Sequence, residues 1–114
     1  MKEYTDYLEK KAEELKSQVK ELNNSDRKDE ANLLKVQINV YNVCKTVFYV
    51  FKNIKSPEAL KNDYIVKLDE MCSTWNTNLI KARNFDDIAT ATVEELKIQA
   101  INDAKNKFKE YWSE

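Results

Sequence analysis

The sequence predicts an all-α protein, folded as a single antiparallel four-helix bundle with short connections in up-down-up-down order. Three observations carry this expectation. Apolar residues recur at steps of three and four along nearly the whole chain, which is the period of a helix and not of a strand. The 114 residues include no glycine and one proline, Pro57; tight β-hairpins and the phosphate loops of P-loop or Rossmann sites depend on glycine. Polar punctuation interrupts the pattern near Asn23, near Ser56 and between Asn84 and Thr92. The predicted helices span about 3–22, 26–55, 57–83 and 92–112 within one domain, 1–114. The alternative is a three-helix, spectrin-like bundle with the first helix appended or exchanged with a second copy.

The first helix carries one narrow apolar stripe, Tyr4, Leu8, Ala12, Leu15, Val19 and Leu22, so it covers a core from one side. Tyr7 falls off the stripe and is expected to be exposed. Asn23-Asn24-Ser25 stops it, since asparagine tolerates left-handed geometry; Asn24 or Ser25 then caps the second helix. That second helix holds the most apolar stretch, Ala31 to Ile54, with two rows at helical spacing. One row is Leu33, Val36, Val40, Val43, Val47, Val50 and Ile54; the other is Leu34, Ile38, Tyr41, Cys44, Phe48 and Phe51. Burial of both would hide about half of the helix circumference and place this helix at the centre of the bundle. The β-prone run Thr46 to Phe51 has no second strand to pair with, so the helical period decides.

Ser56-Pro57-Glu58 starts the third helix, with serine as N-cap, proline in the first turn and glutamate facing the helix dipole. Its inward set is Leu60, Tyr64, Ile65, Leu68, Met71, Cys72, Trp75, Leu79 and Ala82. Thr92-Val93-Glu94-Glu95 has the pattern of a capping box and is expected to open the fourth helix. Val93, Leu96, Ala100, Ala104, Phe108 and Tyr111 form its inward row.

Composition excludes several function classes. With no histidine, the chain lacks the commonest general base and the commonest transition-metal ligand. Neighbouring acids such as Glu13-Glu14, Asp69-Glu70 and Asp86-Asp87 point about 100° apart on a helix and do not converge. A di-metal carboxylate bundle needs inward Glu-x-x-His motifs, and the acids map to outer faces. The expectation is a protein that is not an enzyme, with no catalytic residue, no cofactor and no metal. Cys44 and Cys72 lie on different helices, about 6 Å out of register in an antiparallel pair turning at Ser56, and are expected as buried free thiols. The start, MKEYTDYLEK, has no signal-peptide core, and the longest apolar run, Val47 to Phe51, is far short of a membrane span. A cytoplasmic protein that does not enter the membrane is the expectation.

Net charge is −1, but its distribution is uneven. Residues 31–57 carry four lysines, Lys35, Lys45, Lys52 and Lys55, and no carboxylate; these lysines should face outward or pair with acids of neighbouring helices. The third face of this helix is unusual: Asn32, Lys35, Asn39, Asn42, Thr46, Tyr49 and Asn53 line up at helical spacing, polar but built mostly of uncharged groups. An asparagine-rich composition, twelve in all, explains such a row without a function; a contact surface for a protein partner or a second copy explains it with one. That surface is the candidate site.

The stretch Arg27-Lys28-Asp29-Glu30-Ala31-Asn32, running into Val40-Tyr41-Asn42-Val43-Cys44-Lys45, resembles small uncharacterised all-helical proteins of low-GC Gram-positive bacteria. The resemblance implies no activity, site or cofactor. The expected function is therefore that of a small non-catalytic interaction or self-associating protein. Two other classes compete. One is a nucleic-acid or polyanion binder, which requires Lys45, Lys52 and Lys55 to share one uninterrupted surface; it is disfavoured by the scarcity of arginine, limited to Arg27 and Arg83. The other, a bacteriocin-immunity or antitoxin-like protein, rests on fold analogy alone.

Overall fold

A computed structural model describes residues 2–112. Four helices, α1 (Lys2–Asn24), α2 (Lys28–Ile54), α3 (Pro57–Asn84) and α4 (Ile88–Trp112), pack as a compact bundle, with no strand among the described residues. Each short connection reverses the chain. α1 lies along α2 and α3 along α4, giving two helical hairpins. The hairpins meet chiefly through α2 and α4, which run in the same direction: Gln37 Nε2 donates to the Leu96 carbonyl, Tyr41 Oη to Asp103, and Phe48 meets Phe108. The molecule is flattened, 45 × 35 × 21 Å. Because α1 packs along α2, it is a full member of the bundle and not an appendage to three helices. α2 touches all three other helices as expected, but so does α4, and the two share the central position.

Each helix sends one large ring into a single layer. Tyr4, Phe48, Tyr64 and Phe108 are 0 or 1% exposed, and all six pairs among them stand edge to face with centroids 4.7 to 6.0 Å apart. Edge-to-face contact sets the positive ring rim against a negative ring face. Burying each ring removes apolar surface worth about 1.5–3 kcal/mol. The layer has a polar thread: the Tyr64 hydroxyl donates to the Cys44 carbonyl at 2.8 Å, and the hydroxyls of Tyr4 and Tyr64 lie 2.8 Å apart. Both phenols are thus satisfied at full burial. α1 and α3 make no close backbone approach, so these long side chains are what joins them.

A second, wetter tie lies beside this layer. Asp103 Oδ2 accepts from both Tyr7 and Tyr41 hydroxyls at 2.7 Å, and Lys107 sits over the Tyr7 ring. Tyr7, expected to be exposed, is instead half-buried. The register of α1 against α4 brings a carboxylate to its hydroxyl, which the stripe of α1 alone does not reveal.

Helix ends follow the expected chemistry at one junction and depart from it at two. Ser56 caps α3, its Oγ accepting from Ala59 N at 3.3 Å, with Pro57 in the first turn. α4, however, begins at Ile88 and not near residue 92. Asp87 does the capping, its Oδ1 accepting from Thr90 N at 3.1 Å, while Thr92 Oγ1 donates back to the Ile88 carbonyl inside the helix. The Thr92 capping box is therefore not used. α2 starts with Arg27 in the cap position and no side-chain cap bond, so neither Asn24 nor Ser25 serves as its cap.

The reason is the same at both junctions. α1 and α3 end in matching reversals: Arg27 N–H bonds Leu22 O and Asp26 N–H bonds Asn23 O, while Asp87 N–H bonds Ala82 O and Asp86 N–H bonds Arg83 O. This is the six-to-one and five-to-two pattern of a Schellman cap, which needs one left-handed residue. In this glycine-free chain the residue is aspartate, Asp26 at φ 59° and Asp86 at φ 54°; the asparagines do not take it. Aspartate tolerates this conformation at a cost that glycine avoids. Asp26→Gly is expected to stabilise the protein by about 0.5–1 kcal/mol, read as a raised urea midpoint with unchanged slope.

Cys44 and Cys72 are free. Cys44 is fully buried and its thiol is pushed up to about 12 by that burial, whereas Cys72 is only half-buried, its Sγ 3.8 Å from Asn102 Oδ1.

Candidate interaction surface

The surface is built by the mismatch between α2 and its neighbours. Of its two apolar rows, the inner one is covered: Ile38, Tyr41, Cys44 and Phe48 are buried, Leu34 and Phe51 half-buried. The other row was expected to be buried as well and is not. Only Val40 is buried; Leu33, Val36 and Val47 are half-buried, and Val43, Val50 and Ile54 are exposed, Ile54 to 69%. α1 has one stripe, already spent on the inner side of α2. α3 has one stripe as well, and Lys67, Glu70, Thr74 and Asn78 on its remaining rows are exposed. No apolar stripe remains in the chain to cover the second row. That shortage of cover was the signal available in the sequence.

The amide row lies beside this strip. Asn32, Lys35, Asn39, Asn42, Thr46, Tyr49 and Asn53 are all exposed. Among the described residues, no hydrogen bond or ion pair holds the side chain of Asn32, Lys35, Asn39, Asn42, Thr46 or Asn53. Tyr49 leans its ring against Phe48, centroids 6.2 Å apart. Asn39, Asn42, Val43, Thr46 and Val47 line a shallow groove of about 470 Å³. The face thus joins an apolar strip at four- and three-residue spacing, the form in which helices meet other helices, to a band of free donors and acceptors.

The α2 lysines take two roles. Lys45 bridges to Glu9 on α1 at 2.6 Å, and Lys55 to Asp63 on α3 at 2.8 Å while lying over the Phe51 ring. Lys35 and Lys52 are exposed and have no carboxylate within pairing distance among the described residues.

No cluster of three or more metal-ligating side chains occurs among the described residues, and no helix of those residues is long and apolar enough to cross a membrane. One acid departs from the expected outer placement. Glu94 is 6% exposed; Lys97, which also lies over the Trp75 ring, reaches its Oε1 at 3.2 Å, while its buried Oε2 has no partner. It adjoins a cleft of about 330 Å³ at the α3–α4 end, lined also by Asn78, Lys81, Phe85 and Asp87. Asp87 is held below the usual carboxylate range by its bonds from Thr90.

Fold and surface together define a four-helix bundle with an uncovered face on its second helix. Comparison of the chain with family models, with curated proteins and with solved structures finds no match.

Proposed function

We propose that this is a cytoplasmic, non-catalytic helical protein that works by docking another protein chain on the outer face of α2. The observation that carries this reading is the exposed strip Val43, Val50 and Ile54, continuous with half-buried Val47 and flanked by Asn39, Asn42, Thr46 and Asn53. Exposed valines and isoleucines at helical spacing gain little from water and gain from a second apolar surface. The flanking amides supply hydrogen bonds that fix register without the desolvation cost of charge. Two free thiols accord with a reducing compartment. Polyanion binding is less well supported, since Lys45 and Lys55 are already paired, with Glu9 of α1 and Asp63 of α3, which leaves Lys52 without them.

Site-specific photocrosslinking in cells tests the proposal. A crosslinker at Asn42 or Val50 is expected to give protein adducts, and one at Glu13, exposed on α1, to give none. Equal labelling at both places, or none at either, would overturn it.

A further inference from the structure

A second part of the surface is as bare as the α2 strip. At the tip joining α3 to α4, Phe85 and Ile88 are 76% and 78% exposed. Along the bundle axis this tip lies about 42 Å from the Ser56 turn, where the strip ends, and roughly 17–29 Å from the groove residues Asn39 to Val47. One molecule cannot fold its own tip onto its own strip. A second molecule can.

We propose that the occupant of the α2 face is the α3–α4 tip of another copy of this chain, a claim that rests on the docking role of α2 proposed above. Charge agrees with apolar exposure. Residues 84–96 carry Asp86, Asp87, Glu94 and Glu95 and no base, whereas residues 31–57 carry four lysines and no acid. Some of these charges are already engaged at home: Glu94 with Lys97, Glu95 with Arg83, Lys45 with Glu9 and Lys55 with Asp63. Asp86 and Asp87 at the tip, and Lys35 on the amide row, have no ion-pair partner among the described residues. Lys81 on the α3 flank of the tip is the one opposing charge there without an ion-pair partner.

Shape agrees as well. Beside the small α3–α4 cleft the tip presents a bare aromatic ring and a bare branched side chain, and the α2 face offers the groove lined by Asn39, Asn42, Val43, Thr46 and Val47. Tip and strip are different surfaces, so the contact is heterologous. In each such contact one copy uses its tip and the other its strip, so the pair keeps one unused tip and one unused strip, and association continues into a ring or an open chain instead of stopping at two.

This geometry has a test that an isologous dimer fails. One variant, Phe85→Asp with Ile88→Asp, loses the tip; another, Val43→Asp with Val50→Asp, loses the strip. All four positions are exposed, so both variants are expected to keep the helical circular dichroism of the parent. By sedimentation velocity the parent is expected to grow in mass with concentration beyond a dimer, weakening by roughly tenfold or more from low to high salt. Each variant alone is expected to be monomeric, and their equimolar mixture to form a one-to-one dimer. A monomeric mixture would overturn the proposal, as would a tip variant that still dimerises, which would mean strip meeting strip. If a variant misfolds, the milder pair Ile88→Ser and Val50→Ser carries the same mixing test. A parent that stays monomeric at millimolar concentration, while Asn42 still crosslinks to a different protein in cells, would sink the self-docking alone and leave the docking role of α2 standing.

Discussion

Replacing Phe108 with alanine is expected to destabilise the protein by about 3–5 kcal/mol, the range for removing a buried aromatic ring. The ring is fully buried and stands edge to face with Tyr4, Phe48 and Tyr64, and it also contacts Trp112 at 5.3 Å. Its loss opens a cavity where all four helices converge, and the three other rings of the layer, with Trp112, lose a partner together. The layer cannot collapse to fill the gap without pulling Tyr4 off the Tyr64 hydroxyl. At about 4 °C per kcal/mol for a chain of this size, the melting temperature should fall by roughly 12–20 °C. Urea unfolding followed by circular dichroism measures it. A loss below about 1 kcal/mol would mean that the layer does not hold the hairpins together.

The second large effect is expected at Asp103. One oxygen of this carboxylate accepts both the Tyr7 and the Tyr41 hydroxyl, and a hydrogen bond to a charged group contributes about 1.5–3 kcal/mol. The site is only half-buried and water competes, so Asp103→Ala is expected to cost about 2–4 kcal/mol at neutral pH. Asp103→Asn keeps an acceptor and should recover part of that. The substitution also leaves a mark at alkaline pH. Burial raises the ionisation of Tyr7 and Tyr41 well above the ordinary tyrosine range, and the hydrogen bond and charge of Asp103 raise it further. A phenol whose folded value lies above its unfolded value of about 10 contributes stability that is complete below that pH and is lost above it, as the unfolded chain ionises first. Removing Asp103 lowers the folded values, so the two phenols should ionise at a lower pH in the folded protein and the alkaline loss of stability should level off earlier than in the parent. Ultraviolet titration of the tyrosines together with urea midpoints at neutral and alkaline pH reads both effects. An unchanged ultraviolet titration of the folded tyrosines would show that Asp103 does not govern these two phenols.

Much of this architecture is written locally. The helical period and the Ser56-Pro57 start depend on residues within a few positions of each other, and they reappear in the four helices and in the Ser56 cap. The start of α4 shows where local signals compete. Thr92 with Glu95 and Asp87 with Thr90 both offer a cap, and nothing within either motif ranks them. Asp87 prevails because the left-handed Asp86 turns the chain straight into the next helix. Which residue takes that conformation depends on where the preceding helix ends, and this is why aspartates hold it when the neighbouring asparagines looked better suited. The Asp103 tie was hidden for a different reason: it joins positions 96 and 62 residues apart, and only the packing register of α1, α2 and α4 brings them together.

The candidate surface was half legible. The amide row from Asn32 to Asn53 could be read from spacing, and its seven residues are exposed. Its apolar neighbours Val43, Val50 and Ile54 have the pattern of core residues, because periodicity states which residues share a face and not whether another helix has a stripe left to cover it. Phe85 and Ile88 fall in a region whose sequence has the pattern of an irregular break, where no helical spacing marks them.

The aromatic layer also divides the molecule by mechanical firmness. It clamps the four helices near the start of α1 and the end of α4, tying residue 4 to residue 108, while the reversals at Asp26 and Asp86 lie far from it. Leu79 and Ala82, although buried, stand outside the main cluster of the core. Backbone opening begins where few buried contacts hold it, so hydrogen exchange should be slowest around Phe48, Tyr64 and Phe108 and fastest at the two reversals. The segment that carries Phe85 and Ile88 is thus also the segment able to adjust its shape at least cost, a rigid clamp at one end leaving a compliant fingertip at the other.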